Sequence, residues 1–270
     1  MPELPDVEVY RRRVERQVQH RTLTGAVVGD PLVLDGVSVS TLQRAVRGAT
    51  AGAPRRHGKQ LFVRLERGDD EGGGSPAWLR FHFGMTGRLR VVPEDDVPEY
   101  AYVQLALDAG ETLAFTVPRK LGRVGLVDDP DAYVETKGLG PDALRIDRPR
   151  FEAVLSGRRG MIKTAFLDQS VLAGLGNIYA DEILFQVGVH PRAKIAGLDA
   201  EPRHALFDAM KEVLHVAIQH EADPDALPPD RYLLPHRRGD DRDPFTGEKL
   251  QTVKAGGRTA YFSPSRQPEP

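Results

Sequence analysis

The stretch that decides the reading runs from residue 161 to residue 191, MIKTAFLDQSVLAGLGNIYADEILFQVGVHP. Ile162, Ala165, Phe166 and Val171 place apolar groups at helical spacing. Ala173-Gly174-Leu175-Gly176 interrupts that pattern, because two glycines cost too much in a helix interior. Asn177 is a suitable N-cap for a second helix that carries Ile178, Ile183 and Leu184 inside. Gly188 suits the position after that helix, and Pro191 stops the chain. Two helices around a glycine turn make a helix-turn-helix variant. Such a turn, leading into a helix N-terminus, offers free amide donors that suit a phosphate. On these residues alone an ordinary helical hairpin is an equal reading.

Outward from this stretch, composition sets the bounds. A chain of 270 residues with 40% hydrophobic and 28% charged residues is an ordinary globular protein of one or two domains. No run approaches a membrane span, the N-terminus lacks a signal-peptide core, and the absence of cysteine excludes disulfides and thiolate metal sites. A net charge of −2 is low for a nucleic-acid binder, but the charge is unevenly placed. Acid gathers at Asp69-Asp70-Glu71, Glu94-Asp95-Asp96, Asp128-Asp129 and Asp240-Asp241. Base gathers at Arg11-Arg12-Arg13, Arg55-Arg56-His57-Lys59, Arg119-Lys120 and Arg158-Arg159, so a local basic face is open to the fold.

The chain begins Met1-Pro2-Glu3-Leu4-Pro5-Asp6-Val7-Glu8, and Val7, Tyr10, Val14 and Val18 predict a helix from about Pro5 to His20. Short alternating segments follow at 21–28, 60–65, 78–83, 101–107, 111–117 and 123–127, with a helix near Ser40–Arg47 and a polar loop at 67–76. They argue for an antiparallel sandwich. Helices are then expected from about Pro149 to Leu155 and from Pro202 to about His220, the latter with a core stripe of Leu206, Met210, Val213, Leu214 and Ala217.

The central stretch resembles the helix-two-turn-helix of the formamidopyrimidine-DNA glycosylase and endonuclease VIII family, whose members excise oxidised bases. Lys163, Leu167-Asp168-Gln169, Ala173 through Tyr179 and Glu182 stand where that family has them. The N-terminal and finger blocks match in the same order. The resemblance implies an α+β fold: an N-terminal antiparallel β-sandwich with an N-terminal helix, then a helix-two-turn-helix domain ending in a β-hairpin finger. Domains are expected at 1–135, at 149–225 after a linker at 136–148, and at 226–270 for a lid-like loop and the finger.

The implied chemistry is removal of an oxidised base and nicking of the strand. Met1 is expected to be removed, because proline is small, exposing the Pro2 amine as nucleophile. An N-terminal amine has a reference pKa near ~8, so part of it is neutral at pH 7. It can attack the sugar C1′ and leave a Schiff base. Glu3 would be the acid/base. Lys59, after Gly58, would touch the phosphate and the damaged nucleotide. Met85, at a glycine-bounded turn, would enter the gap, and Arg119 would pair with the orphaned base. Leu121 replaces a phenylalanine and Val117 an aspartate, which puts opposite-base discrimination in doubt. Lys163 and Asn177 would reach phosphates. Asp6, where the family usually has Glu, and Glu182 would organise the site.

Gly256-Gly257 marks a hairpin turn, with strand-like flanks at Leu250–Val253 and Thr259–Ser263. The family usually holds this finger with zinc on four cysteines. Asp243, Thr246, Ser263 and Arg266 occupy those spacings and cannot hold structural zinc. The chain therefore resembles the zincless-finger variant, without a cofactor. The hairpin is expected to stand on Phe245, Leu250, Tyr261 and Phe262, with Arg258 gripping the phosphates at the lesion. Guanine-specific members carry a lid before the finger, whereas Pro224–Arg238 reads PDALPPDRYLLPHRR, so the damaged base is not specified. The implied partner is double-stranded DNA with oxidised bases or abasic sites, bound by a monomer in a bacterial cytoplasm or nucleoid, with no membrane role. Two alternatives stay open: a damaged-DNA binder that lost the chemistry, and an RNA-binding module.

Overall fold

A computed structural model describes residues 1–67, 77–237 and 241–270. The polar loop expected at 67–76, with its acids Asp69-Asp70-Glu71, therefore lies outside the described residues apart from Arg67, as do Arg238 and Asp240. The chain forms two compact units. One comprises Met1–Pro2 and Asp6–Lys137, the other Glu3–Pro5 and Gly138–Pro270.

α1 (Leu4–Gln17), which enters the first unit from Asp6 onward, buries Val7 and Val14 there, and Val18 just after it is buried in the same core. β1 (Thr22–Val28) and α2 (Val39–Val46, capped by Ser38) follow, then β2 (Ala49–His57), β3 (Gln60–Glu66), β4 (Ala77–His82), β5 (Arg88–Pro93), β6 (Ala101–Leu107), β7 (Glu111–Thr116), β8 (Arg123–Val127) and α3 (Pro130–Thr136). The strands form one eight-stranded sheet in the order β5-β7-β6-β1-β2-β3-β4-β8, each neighbouring pair antiparallel. β4 and β7 stand five places apart in that order, about 24 Å in a flat sheet. Yet Phe81 of β4 meets Phe115 of β7 with ring centroids 5.5 Å apart. The sheet therefore folds over, and its two halves face each other across a core of Leu61, Val63, Leu79, Phe81, Val103, Leu105 and Phe115.

Two strands and a helix had no expectation in the sequence. β2 carries Gly52 and Pro54, and its register with β3 slips between Ala51 and Pro54, so a bulge spoils the alternation. β5 is short. α3 opens on an Asp129 N-cap followed by Pro130, a start signal that lay unread.

In the second unit, α4 (Arg148–Leu155), α5 (Ile162–Leu167), α6 (Asn177–Val187) and α7 (Ala200–Gln219) share a core with Leu4, which includes Phe151, Phe166, Leu175, Ile183, Leu206 and Leu214. β9 (Gln251–Ala255) and β10 (Arg258–Phe262) form the hairpin. Ala255 pairs with Arg258, and Gly256 and Gly257 both take positive φ, the geometry a two-residue hairpin loop requires. The lid-like loop is a correction: Leu227, Tyr232, Leu233 and Leu234 are buried, so the proline-rich segment is packed down through its apolar side chains.

Candidate functional site

The two turns of the central stretch are shaped by the chain's own N-terminus. Leu4 N donates to Gly174 O, and Gly174 has φ +117°, a value L-residues rarely adopt. A Cβ on Gly174 would lie 2.4 Å from Leu4 Cδ1, and one on Gly176 2.4 Å from Glu3 Cδ. Both glycines are thus required by close approach. Glu3, 1% exposed, accepts from Gly176 N (2.8 Å) and Tyr179 N (3.3 Å) at Oε2, and from Ile178 N (2.9 Å) at Oε1. A carboxylate there satisfies orphan donors and faces the positive end of the α6 dipole. Two expectations are corrected. Asn177 is not the N-cap: Gly176 holds that position without a side-chain bond, and Glu3 caps from afar. The turn's amides are also not open to a phosphate, since Glu3 takes those three.

Asn177 and Asp181, one helical turn apart on α6, hold the outer edge of β10. Asn177 Nδ2 donates to Thr259 O at 3.0 Å, and Tyr261 N donates to Asp181 Oδ2 at 3.2 Å. An edge strand exposes alternate N–H and C=O groups, and residues i and i+4 of a helix share one face, so the two patterns mesh. Lys163 is corrected as well. It is fully buried, with Nζ bonded to Asp181 and to Thr259 O, and Arg237 Nη2 donates to the other Asp181 oxygen. Burial pushes the Lys163 ammonium down and the Asp181 carboxyl up. This lysine braces the hairpin rather than facing solvent. Asp181 and Arg237 escaped the sequence reading; the spacing of Asp181 from Asn177 was the available signal.

Glu182 is corrected in turn. It accepts from Gln186 Nε2, Leu233 N and Leu234 N, fixing the 233–234 turn rather than the N-terminus. Complete burial pushes its carboxyl up to about 7.

Hydrogen bonds within the chain shape the loops of the finger. Asp243 Oδ1 accepts from Phe245 N and Thr246 N, and Thr246 Oγ1 accepts from Glu248 N. Ser263 N donates to Gln267 Oε1. Arg266 lies 3.9 Å from the Phe245 ring centroid and 4.7 Å from that of Phe185. Phe245, expected inside, is half exposed and works as the outer face of this stack. Leu250 and Phe262 are buried, Phe262 edge-on to His190. Among the described residues no cluster of acids and histidines could hold a metal ion. Arg258 stands exposed at the first position after the turn.

In the first unit, Lys59 and Gly58 form the two-residue turn between β2 and β3, closed by the pair His57 and Gln60. Arg56 is buried beneath it, donating from Nε to Glu8 Oε2 (3.0 Å) and from Nη1 to Gly58 O (3.0 Å). Burial would raise the Glu8 pKa, but Arg56 and Arg11 outweigh it and hold the carboxyl low. The basic face expected at Arg11-Arg12-Arg13 and Arg55-Arg56 is thus largely neutralised: Arg11 and Arg12 pair with Glu8, and Arg55 with Asp131.

Met85 and Leu121 crown adjacent loops and are 40% and 45% exposed. Gly84, at φ +57°, packs so closely that a Cβ would lie 2.5 Å from Leu121 C and O. Arg119 is exposed on the second loop, and Lys120 is tied to Asp30. Val117 is buried in the sheet's core, which accounts for an apolar residue there. His82 Nδ1 accepts from Gly84 N at 3.4 Å. Burial, with Arg80, Lys59 and Arg123 nearby, pushes this imidazole down to about 4, so it is neutral at pH 7.

Known proteins resemble this chain in sequence and fold. Residues 1–124 match the family model described as the formamidopyrimidine-DNA glycosylase N-terminal domain, and residues 138–225 that described as the formamidopyrimidine-DNA glycosylase H2TH domain. A formamidopyrimidine-DNA glycosylase of Arabidopsis thaliana is 32% identical, over 99% of this chain and 71% of the plant protein. One from Pectobacterium carotovorum is 31% identical, over 97% of this chain and 98% of the relative. Among solved structures, the Lactococcus lactis enzyme non-covalently bound to DNA with an AP site matches with TM-score 0.84 at 26% identity, covering 99% of this chain and 100% of that one. With sequence likeness running nearly end to end and the fold superposing throughout, the chain belongs to the formamidopyrimidine-DNA glycosylase family.

Proposed function

We propose that the chain is a bifunctional DNA glycosylase and abasic-site lyase of base excision repair, acting on double-stranded DNA that carries oxidised bases or abasic sites. The observation that carries this reading is the fastening of Glu3 to the N-terminus of α6 by three backbone hydrogen bonds. It fixes the residue next to Pro2, so the amine that removal of Met1 would free has a rigid neighbour. Pro2 nitrogen attacks C1′ of the extruded nucleotide, the glycosidic bond breaks, and the base leaves with its electron pair. Glu3 moves the protons as the sugar ring opens. Loss of a C2′ proton from the Schiff base then expels the 3′ phosphate, and a second elimination expels the 5′ phosphate.

In this reading Lys59, Asn177 and Arg258 hold the phosphates, Met85 and Leu121 fill the vacated space, and Arg119 meets the orphaned base. Asp6 supports the N-terminal block. Lys163 and Glu182 act through the hairpin and the 233–234 turn. The domains divide at 1–135, 136–148, 149–225 and 226–270. The enzyme works as a monomer without cofactor in a bacterial cytoplasm or nucleoid; among the described residues no helix is long and apolar enough to cross a membrane.

Borohydride reduction during incubation with abasic or oxidised DNA tests the mechanism. A covalent adduct mapped to Pro2 by mass spectrometry is the expected result. Tight binding to abasic DNA with neither adduct nor nick would favour the binding-protein alternative, to which the replaced Leu121 points.

A further inference from the structure

We propose that Arg88 and Arg90 seat a backbone phosphate of the undamaged DNA strand, beside the loops that carry Met85 and Arg119; this rests on the DNA reading above. The two arginines open β5, which lies at one edge of the sheet and, among the described residues, pairs only with β7. Leu89 between them is buried, so both guanidinium groups rise from the outer face, and both residues are exposed. Neither makes a side-chain hydrogen bond or ion pair among the described residues. In the same unit Arg11, Arg21, Arg55, Arg56 and Arg80 are all paired with carboxylates. A chain of net charge −2 that leaves this pair uncommitted holds positive charge its own fold does not use.

A cavity of about 360 Å³ opens between these arginines, Thr86, Thr116, Glu99 and Pro118. Thr86 follows Met85 and Pro118 precedes Arg119, so the cavity adjoins both loops. Two guanidinium groups and the Thr86 hydroxyl supply the fork donors and a neutral donor that a phosphodiester takes up, while the Thr116 hydroxyl donates to Arg88 O. The acid on the rim, Glu99, lies beside Tyr100 and pushes that phenol's pKa up. Arg119 is the residue read as meeting the orphaned base, so a phosphate held next to its loop belongs to the strand opposite the lesion.

The test is equilibrium binding of the full chain to a duplex with a tetrahydrofuran abasic analogue, which cannot form a Schiff base, over a range of KCl concentrations. The Arg88→Ala/Arg90→Ala double variant is expected to bind about tenfold more weakly at low salt. The slope of log K against log salt should fall by about one. Arg88→Lys/Arg90→Lys should restore the slope. One neutral methylphosphonate in the undamaged strand should reproduce the loss with the parent protein and add nothing with the alanine variant. An unchanged slope, or a sensitive phosphate found only on the damaged strand, overturns the proposal. Failure of the parent to form a borohydride adduct would count against the catalytic reading alone, because the salt slope needs no chemistry.

Discussion

Glu3 Oε1 accepts the backbone N–H of Ile178 at 2.9 Å across 175 residues of chain. The N-terminal acid is thus the cap of a helix it does not belong to. A capping carboxylate satisfies donors that would otherwise be buried and unpaired. Glu3→Ala should destabilise the second unit by about 1–3 kcal/mol. Glu3→Gln, which retains an acceptor oxygen, should lose less stability yet nick abasic DNA no better than the alanine variant. Differential scanning calorimetry beside a nicking assay reads both.

Gly176→Ala should be worse for activity than its stability loss explains. Its Cβ would sit 2.4 Å from Glu3 Cδ, so Glu3 must leave its place. Gly174→Ala adds backbone strain at φ +117° to a clash with Leu4 and should cost at least about 2 kcal/mol. Comparing the adduct yield of folded protein for the two variants separates displacement of Glu3 from general destabilisation.

Half-buried His82 and fully buried Glu182 should give the stability curve opposite slopes. His82 is lowered from 6.5 to about 4, so between those values the unfolded chain binds more protons and stability rises with pH. Glu182 is raised from 4.5 to about 7, so the native chain binds more protons and stability falls as pH rises through that window. The two windows overlap between pH 4.5 and 6.5, where the slopes offset each other, so His82→Gln should leave stability falling with pH there and Glu182→Gln should leave it rising. Glu182→Gln should also remove a burial penalty on the order of 3 kcal/mol above pH 7, less the hydrogen bond it loses. Urea titrations at pH 4.5, 6 and 8 check the signs.

Met85→Ala should leave the melting temperature nearly unchanged, because the side chain is 40% exposed. It should lower the rate of base removal from duplex DNA about tenfold or more, since an apolar wedge offsets part of the lost stacking. A lesion already in a single strand should be little affected. Equal losses on both substrates would sink the wedge role.

Arg266→Ala should loosen the finger by about 1 kcal/mol, through the lost stack on Phe185 and Phe245. EDTA should leave the melting temperature unchanged. A chelator-sensitive transition would mean that Asp243 and its neighbours hold an ion after all.

Much of this was legible in local pattern. The glycine turn, the helix stripes and the Gly-Gly hairpin all announce themselves within a few residues. Contacts across long separations did not. Asn177 has the right chemistry for a cap, and nothing nearby reveals that Glu3 takes the position. Lys163 stands among Ile162, Ala165 and Phe166, a setting that reads equally as a solvent-facing cation or an inward one; Asp181 decides it. Arg56 looks like part of a basic surface until Glu8, 48 residues earlier, is found against it. The strand at Ala49–His57 was hidden because its bulge breaks the period that would have exposed it.

Because Glu3, Leu4 and Pro5 cluster with residues 138–270, no single cut divides the gene into two self-sufficient halves. A clone beginning at Gly138 would carry an empty hollow over Gly174 and three orphaned amides at the start of its central helix. A synthetic pentapeptide of the natural head is the missing piece, and its rescue of such a fragment in trans would measure how strongly the tip of the chain is held.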